Sequence, residues 1–512
     1  MGLAEVTLVA SCFLGFLGIS LYYLYEIFWA RPERKRAILR RQGIKGPPPS
    51  PFLGNVRDMR RTQSEEKARK ATGHDCAAII FPFFDRWRSE YGSIFVFSMG
   101  NMVSLYVRDL DLVKEIGQCK SLDLGKPSYL QKELRALLGH GILASNRSTW
   151  AHQRKVIAPE FFMDKVKGMV ELMVEAAIPW LESWESRVQC EGGTAVITVD
   201  QDLRGFSADV ISRACFGSNY SKGKSIFDRL WALQMAKSKR FLLIGIPGSR
   251  YLPTKNNLEI WRLEREIRLL ILKVVKERQE KFGASSEKDL LQSLIESGDG
   301  YVGPDTTIDG FIVDNCKNIY FAGHETTALS AAWCLMLLAS YPEWQARARD
   351  EVVEICGDQP PTIEVLRKMK TLTMVIQETL RLYAPAFFTS RETLQDLKFG
   401  DIHIPEGTII RIPISKLHTD PEIWGPDAHE FNPERFAQRI SGACKFPHAY
   451  IPFGLGTRSC VGQHFAMVEL KIVLSLILSK FTFSLSPKYC HSPAFRLTLE
   501  PEFGVPLMMN KA

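Results

Sequence analysis

The sequence predicts a mainly α, α-rich α+β body behind an N-terminal transmembrane helix. Three observations lead there. An uncharged run at residues 6–25 opens the chain. From about residue 80 apolar residues recur with helical periodicity over long stretches. Alternating apolar runs are few and short, and they do not interleave with helices in the order of a parallel α/β sheet.

The opening run is 20 residues long, enough for a helix to cross a bilayer core. Tyr22, Tyr23, Tyr25 and Trp29 gather at its end like an interfacial aromatic belt. Arg31, Arg34, Lys35, Arg36, Arg40, Arg41 and Lys45 follow against Glu33, so residues 31–45 carry +6 of the formal +8. The positive-inside rule then leaves the body in the cytoplasm. A cleaved signal peptide competes with this reading, but it has a shorter apolar core with positive charge before it. Gly46-Pro47-Pro48-Pro49-Ser50-Pro51 imposes an extended backbone that ends any helix. It serves as an ordinary linker or as a spacer that sets how the body sits on the membrane. The expected division is an anchor at 1–30, a basic and proline-rich linker at 31–55, and one large domain at 56–512.

The 512 residues are 46% hydrophobic and 11% aromatic and show no internal repeat, which fits a single large core. Eleven cysteines occur singly with no CxxC pair, so neither a disulfide framework nor a zinc site is expected. Outside the basic segment the charge is only +2, and nothing points to nucleic acid. Helical patterns lie near 163–187, 257–283, 307–340, 342–356, 363–383 and 461–480. Strand patterns lie at 93–107, near 391–412 and at 495–509.

The strongest chemical signal is Phe453-Gly454-Leu455-Gly456-Thr457-Arg458-Ser459-Cys460-Val461-Gly462. Cys460 stands just before an apolar helix whose N-terminus offers free N–H groups, an arrangement that lowers a thiol pKa. Gly456 and Gly462 permit tight turning near the sulfur. One buried cysteine in a glycine-rich turn would be the bland alternative. The loop, however, fits F-x-x-G-x-R-x-C-x-G at every fixed position and resembles the haem-binding loop of the cytochrome P-450 superfamily. That resemblance implies the cytochrome P-450 fold with haem b as cofactor. Cys460 would be the axial ligand of the haem iron, Arg458 a propionate partner and Phe453 a neighbour of the macrocycle.

Further segments extend the likeness. Ala322-Gly323-His324-Glu325-Thr326-Thr327 lies in a long apolar helical stretch. Gly323 costs up to ~1 kcal/mol there against Ala, and the resemblance supplies a reason, an oxygen groove over the iron. Thr326 lies four residues after Ala322, so its hydroxyl can bond that carbonyl and open the helix. Glu325 and Thr326 would help deliver protons to bound oxygen. Glu378 and Arg381 share a helix face, and by resemblance Arg435 joins them in a buried structural cluster. Trp150 and Arg154 share a face aimed at a propionate, and Arg391 resembles a further propionate partner. The segment Tyr383-Ala384-Pro385-Ala386-Phe387-Phe388 would pass over the haem. Ala384 stands there where the family often has Pro. Neighbours in an extended segment point to opposite sides, so one of Phe387 and Phe388 should face substrate while the other joins the core. In the competing case both rings are core, and selectivity falls to the loop Leu138-Gly139-His140-Gly141-Ile142-Leu143. Ala322 is a further substrate candidate.

Gly43-Ile44-Lys45-Gly46-Pro47-Pro48-Pro49, Asp314-Asn315-Cys316-Lys317 and Tyr450-Ile451-Pro452 look like the plant branch of gibberellin-deactivating and terpenoid-oxidising enzymes. The branch implies a monooxygenase that hydroxylates a pentacyclic triterpene acid or a gibberellin- or kaurane-type diterpenoid. Its electrons would come from NADPH through NADPH–cytochrome P-450 reductase. The expected location is the endoplasmic reticulum membrane, single-pass, with a cytosolic body. The sequons at Asn146 and Asn219 should then carry no glycan. A haem-thiolate isomerase or dehydratase acting on an oxidised lipid is the alternative, and a membrane-anchored haem carrier is a third reading. The intact Glu325–Thr326 pair speaks against the second and Gly323 with Thr326 against the third.

Overall fold

The computed structural model describes residues 3–67, 73–217, 220–239, 248–280, 289–298, 307–357 and 359–512. Helix α1 (Leu3–Tyr25) is apolar and lies outside the body, and it is long enough to span a bilayer. A single π turn, Glu26–Ala30, joins it without a break to α2 (Arg31–Arg41), which carries the basic cluster. This basic stretch is docked on the body. Leu39 is fully buried, and the Arg36 guanidinium donates to Ser98 Oγ at 3.0 Å. Beyond it the proline segment is pinned by Asn55, whose Nδ2 donates to the Pro47 and Pro48 carbonyls while its Oδ1 accepts from Ser98 N at 2.8 Å.

Strands β1 (Ile94–Met99), β2 (Met102–Val107), β3 (Leu124–Gly125), β4 (Phe388–Thr393) and β5 (Ile409–Pro413) form one sheet in the order β1-β2-β5-β4-β3. Only β2 and β5 run parallel. Among the described residues three small antiparallel sheets complete the β portion, one of them joining residues 194–198, 506–511 and 481–485. The rest of the body is helical: α3 (Arg147–Ile157), α4 (Val199–Phe216), α5 (Ile308–Ser340), α6 (Lys370–Leu382) and α7 (Gln463–Lys480) build the site.

Helix α5 runs through the core. Thr307 caps it, accepting from Gly310 N at 3.1 Å. From Gly310 to Ala339 only Asp314, Phe321, Ala322, Gly323 and Thr326 escape full burial. A helix buried on all sides is a core helix, and three of those exceptions, Ala322, Gly323 and Thr326, line a cavity. The expected elements fall close to their places, with two refinements. The stretch near 163–187 splits into Met163–Lys167 and Val170–Cys190, and that near 363–383 splits at Met369. Helix α4 carries no amphipathic pattern because nearly all of it is buried, Ser207, Asp209 and Ser212 included.

Gly46 ties the proline segment to the sheet. A Cβ there would lie 1.8 Å from the Val96 carbonyl oxygen, while Val96 N donates to Lys45 O at 3.0 Å. Both atoms are backbone, so neither can yield cheaply. Gly46→Ala is expected to destabilise the body by about 1–3 kcal/mol, the range of overpacking changes. A lower denaturation midpoint at unchanged denaturant slope would show it, and an unchanged midpoint would mean the segment lifts freely.

Candidate active site

The cysteine loop turns on two glycines for different reasons. Gly454 and Gly456 have φ of +75° and +68°, backbone that glycine adopts freely. A Cβ on Gly456 would lie 2.4 Å from the Gly117 carbonyl oxygen, so this glycine serves a helix–loop approach and not access to the sulfur. Cys460 N donates to Phe453 O at 2.8 Å and closes the loop. Helix α7 begins at Gln463, and Gly462 N–H points to the sulfur. Burial holds the thiol above its ordinary pKa, against the pull of Gly462 N–H and the cations Arg154 and Lys126. The helix terminus alone therefore does not make the thiolate, and a metal cation before the sulfur would.

Cys460 opens onto a cavity of about 320 Å³, at the lower end of the ~300–1,000 Å³ of ordinary ligand pockets. Trp150, Arg154, Phe453, Arg458, Ala322, Gly323, Thr326 and Phe388 all line it. On one side cations converge. Arg458 lies 4.1 Å over the Trp150 ring and donates to Ser145 O at 2.9 Å. Arg154 donates to Ser459 O at 2.6 Å and Arg391 to Leu455 O at 3.0 Å. Lys126, which no sequence pattern marks, joins them. Burial pushes Arg391 down to about 10 and Arg458 to about 9, and it holds Lys126 well below its usual value. Among the described residues these guanidinium groups meet backbone carbonyls and uncharged side chains, not carboxylates. Such a set calls for a dianionic group. A flat cofactor with two carboxylates over a thiol ligand fits it.

Under the loop lies the ion-paired scaffold. Arg381 Nε and Nη2 donate to the two Glu378 oxygens at 2.7 and 2.8 Å, and both residues are 0% exposed. Arg435 Nε is 3.5 Å from Glu378 Oε1, and this guanidinium also pairs with Asp427. The cluster reaches the cysteine loop through His418, which sequence reasoning missed. Arg381 Nη1 donates to His418 O at 2.7 Å, His418 Nδ1 faces Arg381 O at 3.1 Å, and Ile451 N donates to His418 Nε2 at 2.9 Å. Burial and Arg381 push the His418 pKa down to about 3, so the ring is neutral and accepts at Nε2.

On helix α5, Thr326 Oγ1 donates to Ala322 O at 2.7 Å, as its spacing predicts. The helix nevertheless stays continuous. Gly323 has a packing reason: a Cβ there would lie 2.6 Å from Ile211 Cδ1 of α4. Glu325 is not on the cavity. Ala322, Gly323 and Thr326 share one face, and the intervening position turns about 100° away for each residue. Its carboxylate, 1% exposed, pairs with Arg204 at 3.1 Å, and Arg204 also holds Glu500 at 3.1 Å. Phe388 lines the cavity, whereas Phe387 is 2% exposed and packs on Phe81 and Phe495. The pleat thus divides the pair as an extended segment should. The Asn146 amide is bonded to the Lys126 backbone and to Arg458, and Asn219 lies outside the described residues.

A family model for cytochrome P450 matches residues 45–505. The chain belongs to the cytochrome P450 family. It is 57% identical over 497 residues to cytochrome P450 714C2 of Oryza sativa subsp. japonica, covering 96% of this chain and 95% of that one. It is 50% identical over 522 residues to cytochrome P450 714B3 of Zea mays, covering 100% and 97%. To cytochrome P450 714A2 of Arabidopsis thaliana it is 47% identical over 496 residues, covering 94% of each. These relatives make it a haem-thiolate monooxygenase of the plant branch. A P450 haem bound by thiolate supplies activation of dioxygen.

Buried neutral histidines link this fold to pH. His74 and His324 are pushed down to about 4 and His418 to about 3, all chiefly by burial. In the unfolded chain they titrate near 6.5. Folded pKa values below unfolded ones mean stability is full above about pH 6.5 and is lost as pH falls toward 3 to 4. The unfolding free energy should therefore decline steadily between pH 6.5 and 4. His418→Gln should reduce that slope, and an equal slope in wild type and variant would show that His418 does not titrate so low.

Proposed function

We propose that the enzyme hydroxylates a hydrophobic cyclic terpenoid, either a pentacyclic triterpene acid or a gibberellin- or kaurane-type diterpenoid. O2 is the oxidant, and NADPH supplies electrons through NADPH–cytochrome P450 reductase. Residues 1–30 anchor it in the endoplasmic reticulum membrane, and the haem domain, 56–512, faces the cytosol. Cys460 ligates the iron. Arg154, Arg391, Arg458, Lys126 and Trp150 hold the propionate side of haem b, and Phe453 packs near the macrocycle.

The apolar part of the cavity wall carries the substrate reading. Ile142, Leu143, Ile211, Ile319, Ala322, Leu380, Ala386 and Phe388 line it. The amide of Asn318 is already bonded at both ends, and Thr389 Oγ1 accepts from Arg391 at 3.1 Å. Few polar handles remain free, which suits a rigid body with broad apolar faces. Thr326 is the hydroxyl that organises proton delivery at the groove. Glu325 serves it from behind, through the Arg204 network, and does not touch the reacting atoms. The intact Thr326–Ala322 bond favours oxygenation over isomerisation or dehydration, which need no proton delivery to oxygen.

Expression with a plant reductase, followed by a screen of diterpenoid and triterpenoid acids by mass spectrometry, tests this reading. NADPH-dependent addition of one oxygen is expected, and turnover that needs no NADPH would favour the isomerase. Cys460→Ser should abolish the red-shifted Soret band of the ferrous–CO complex, and an unchanged spectrum would remove Cys460 from the iron. In Thr326→Ala, NADPH oxidation should persist while product falls by roughly a hundredfold or more and peroxide rises. Phe388→Ala should change which terpenoid or which carbon is oxidised. Phe387→Ala should instead cost about 3–5 kcal/mol of stability with the product profile kept. The opposite pattern would reverse the assignment of the two rings.

A further inference from the structure

The segment 138–143 carries two cavity-lining side chains, Ile142 and Leu143, yet among the described residues it pairs with no strand. A buried backbone without a ladder must find partners elsewhere. It finds them on one face of α5. Asp314 Oδ2 accepts from His140 N at 2.8 Å, Asn315 Oδ1 from Ile142 N at 3.0 Å and Asn318 Oδ1 from Leu143 N at 2.8 Å. In the other direction Asn318 Nδ2 donates to Leu138 O at 2.8 Å and Lys317 Nζ to Ala136 O at 3.2 Å. From α3, Gln153 Nε2 donates to His140 O at 2.8 Å. Asn315 and Asn318 are both 0% exposed.

Two glycines permit this approach. Gly139 has φ +53°, and a Cβ there would lie 2.1 Å from Asp314 Cγ. A Cβ on Gly141 would lie 2.6 Å from Asn318 Oδ1. The segment is therefore seated on the helix at a distance only glycine allows, with the His140, Ile142 and Leu143 amides read by side chains spaced at i, i+1 and i+4 along one face. The same helix carries Thr326, two turns further on. The wall that meets the substrate and the groove where oxygen reacts are thus fixed to one rigid element.

We propose that Asn315 and Asn318 are positioning residues: they clamp segment 138–143 as a fixed wall, so that Ile142 and Leu143 decide which carbon of the substrate is presented. This rests on the terpenoid reading only for the identity of the substrate. Side-chain amides set into a helix give a rigid constraint, since breaking one leaves a buried N–H without a partner. The segment should behave as core and not as a lid.

The experiment uses the full-length holoenzyme and its Asn315→Ala and Asn318→Ala variants. Hydrogen exchange is read at 138–143 without substrate. Binding of imidazole and of a bulky diphenyl-substituted imidazole is read from the Soret shift of nitrogen ligation. Regioisomer ratios are read on any terpenoid the wild type oxidises. In the wild type, 138–143 should exchange as slowly as the buried part of α5. In each variant that keeps its ferrous–CO spectrum, exchange there should rise by roughly tenfold or more, with α6 and α7 unchanged. The affinity ratio of the two imidazoles should shift severalfold, and so should the regioisomer ratio. Fast exchange at 138–143 in the wild type overturns the clamp, even if neither variant binds haem. Unchanged imidazole ratios in both haem-loaded variants overturn it too. Shifted imidazole ratios in an enzyme that oxidises no terpenoid would leave the clamp standing and remove the terpenoid reading instead.

Discussion

The pairing of Glu378 with Arg381 is the constraint on which the site depends. Two charges held at 0% exposure bear a desolvation cost of several kcal/mol each, offset only where every polar atom is met. Here they are. Arg381 spends two N–H groups on the carboxylate in a bidentate fork and the others on the carbonyls of His418, Ala428 and Glu430. Glu378 also accepts from Asn432 N at 2.9 Å. Such a pair adds little net stability over an apolar substitute, but it admits one geometry. His418 transmits that geometry to Ile451, and Tyr450 OH adds a second tie to Gln377 O at 2.8 Å. The sulfur of Cys460 is thereby placed by a charge pair on another helix.

The molecule separates two kinds of buried charge. In the scaffold and in the Arg204–Glu325–Glu500 network, opposite charges meet within the protein. Lys126, Arg154 and Arg458 line the cavity and Arg391 lies beside them; among the described residues none of the four pairs with a carboxylate, and the pKa values of all four are depressed. Depression means the protein bears a cost in holding them charged, which a bound dianion relieves. Folding and cofactor loading are therefore linked, because whatever neutralises that cluster stabilises the native state.

Much of this was legible in the chain. The cysteine loop shows itself because every constrained atom sits within ten residues at fixed spacing. The Glu378–Arg381 pair and the Thr326–Ala322 bond follow from helical geometry, and the split of Phe387 from Phe388 follows from the pleat. The direction of Glu325 was also open to that argument, since adjacent helical positions diverge. What could not be read depends on distant partners. Lys126 lies in a short turn without periodicity, and His418 matters only because Ile451 comes to it. Gly456 is explained by Gly117 and Gly323 by Ile211, contacts that no local pattern announces. Helix α4 escaped notice because a segment buried all round has no stripe to detect.

The junction at the N-terminus has a consequence for how the molecule moves. Helices α1 and α2 are continuous through Glu26–Ala30, Phe28 packs on Phe52 with ring centroids 5.3 Å apart, and α2 is seated on the sheet. Set in a bilayer, α1 would therefore act as a stiff arm and not as a tether. A tethered body tumbles above the bilayer and presents its faces at random, whereas a body on a stiff arm keeps one bearing. Any partner confined to the same membrane then searches in two dimensions for a surface whose orientation is already set. Much of the rotational entropy that association in solution would cost would then be removed beforehand by eleven residues of basic helix.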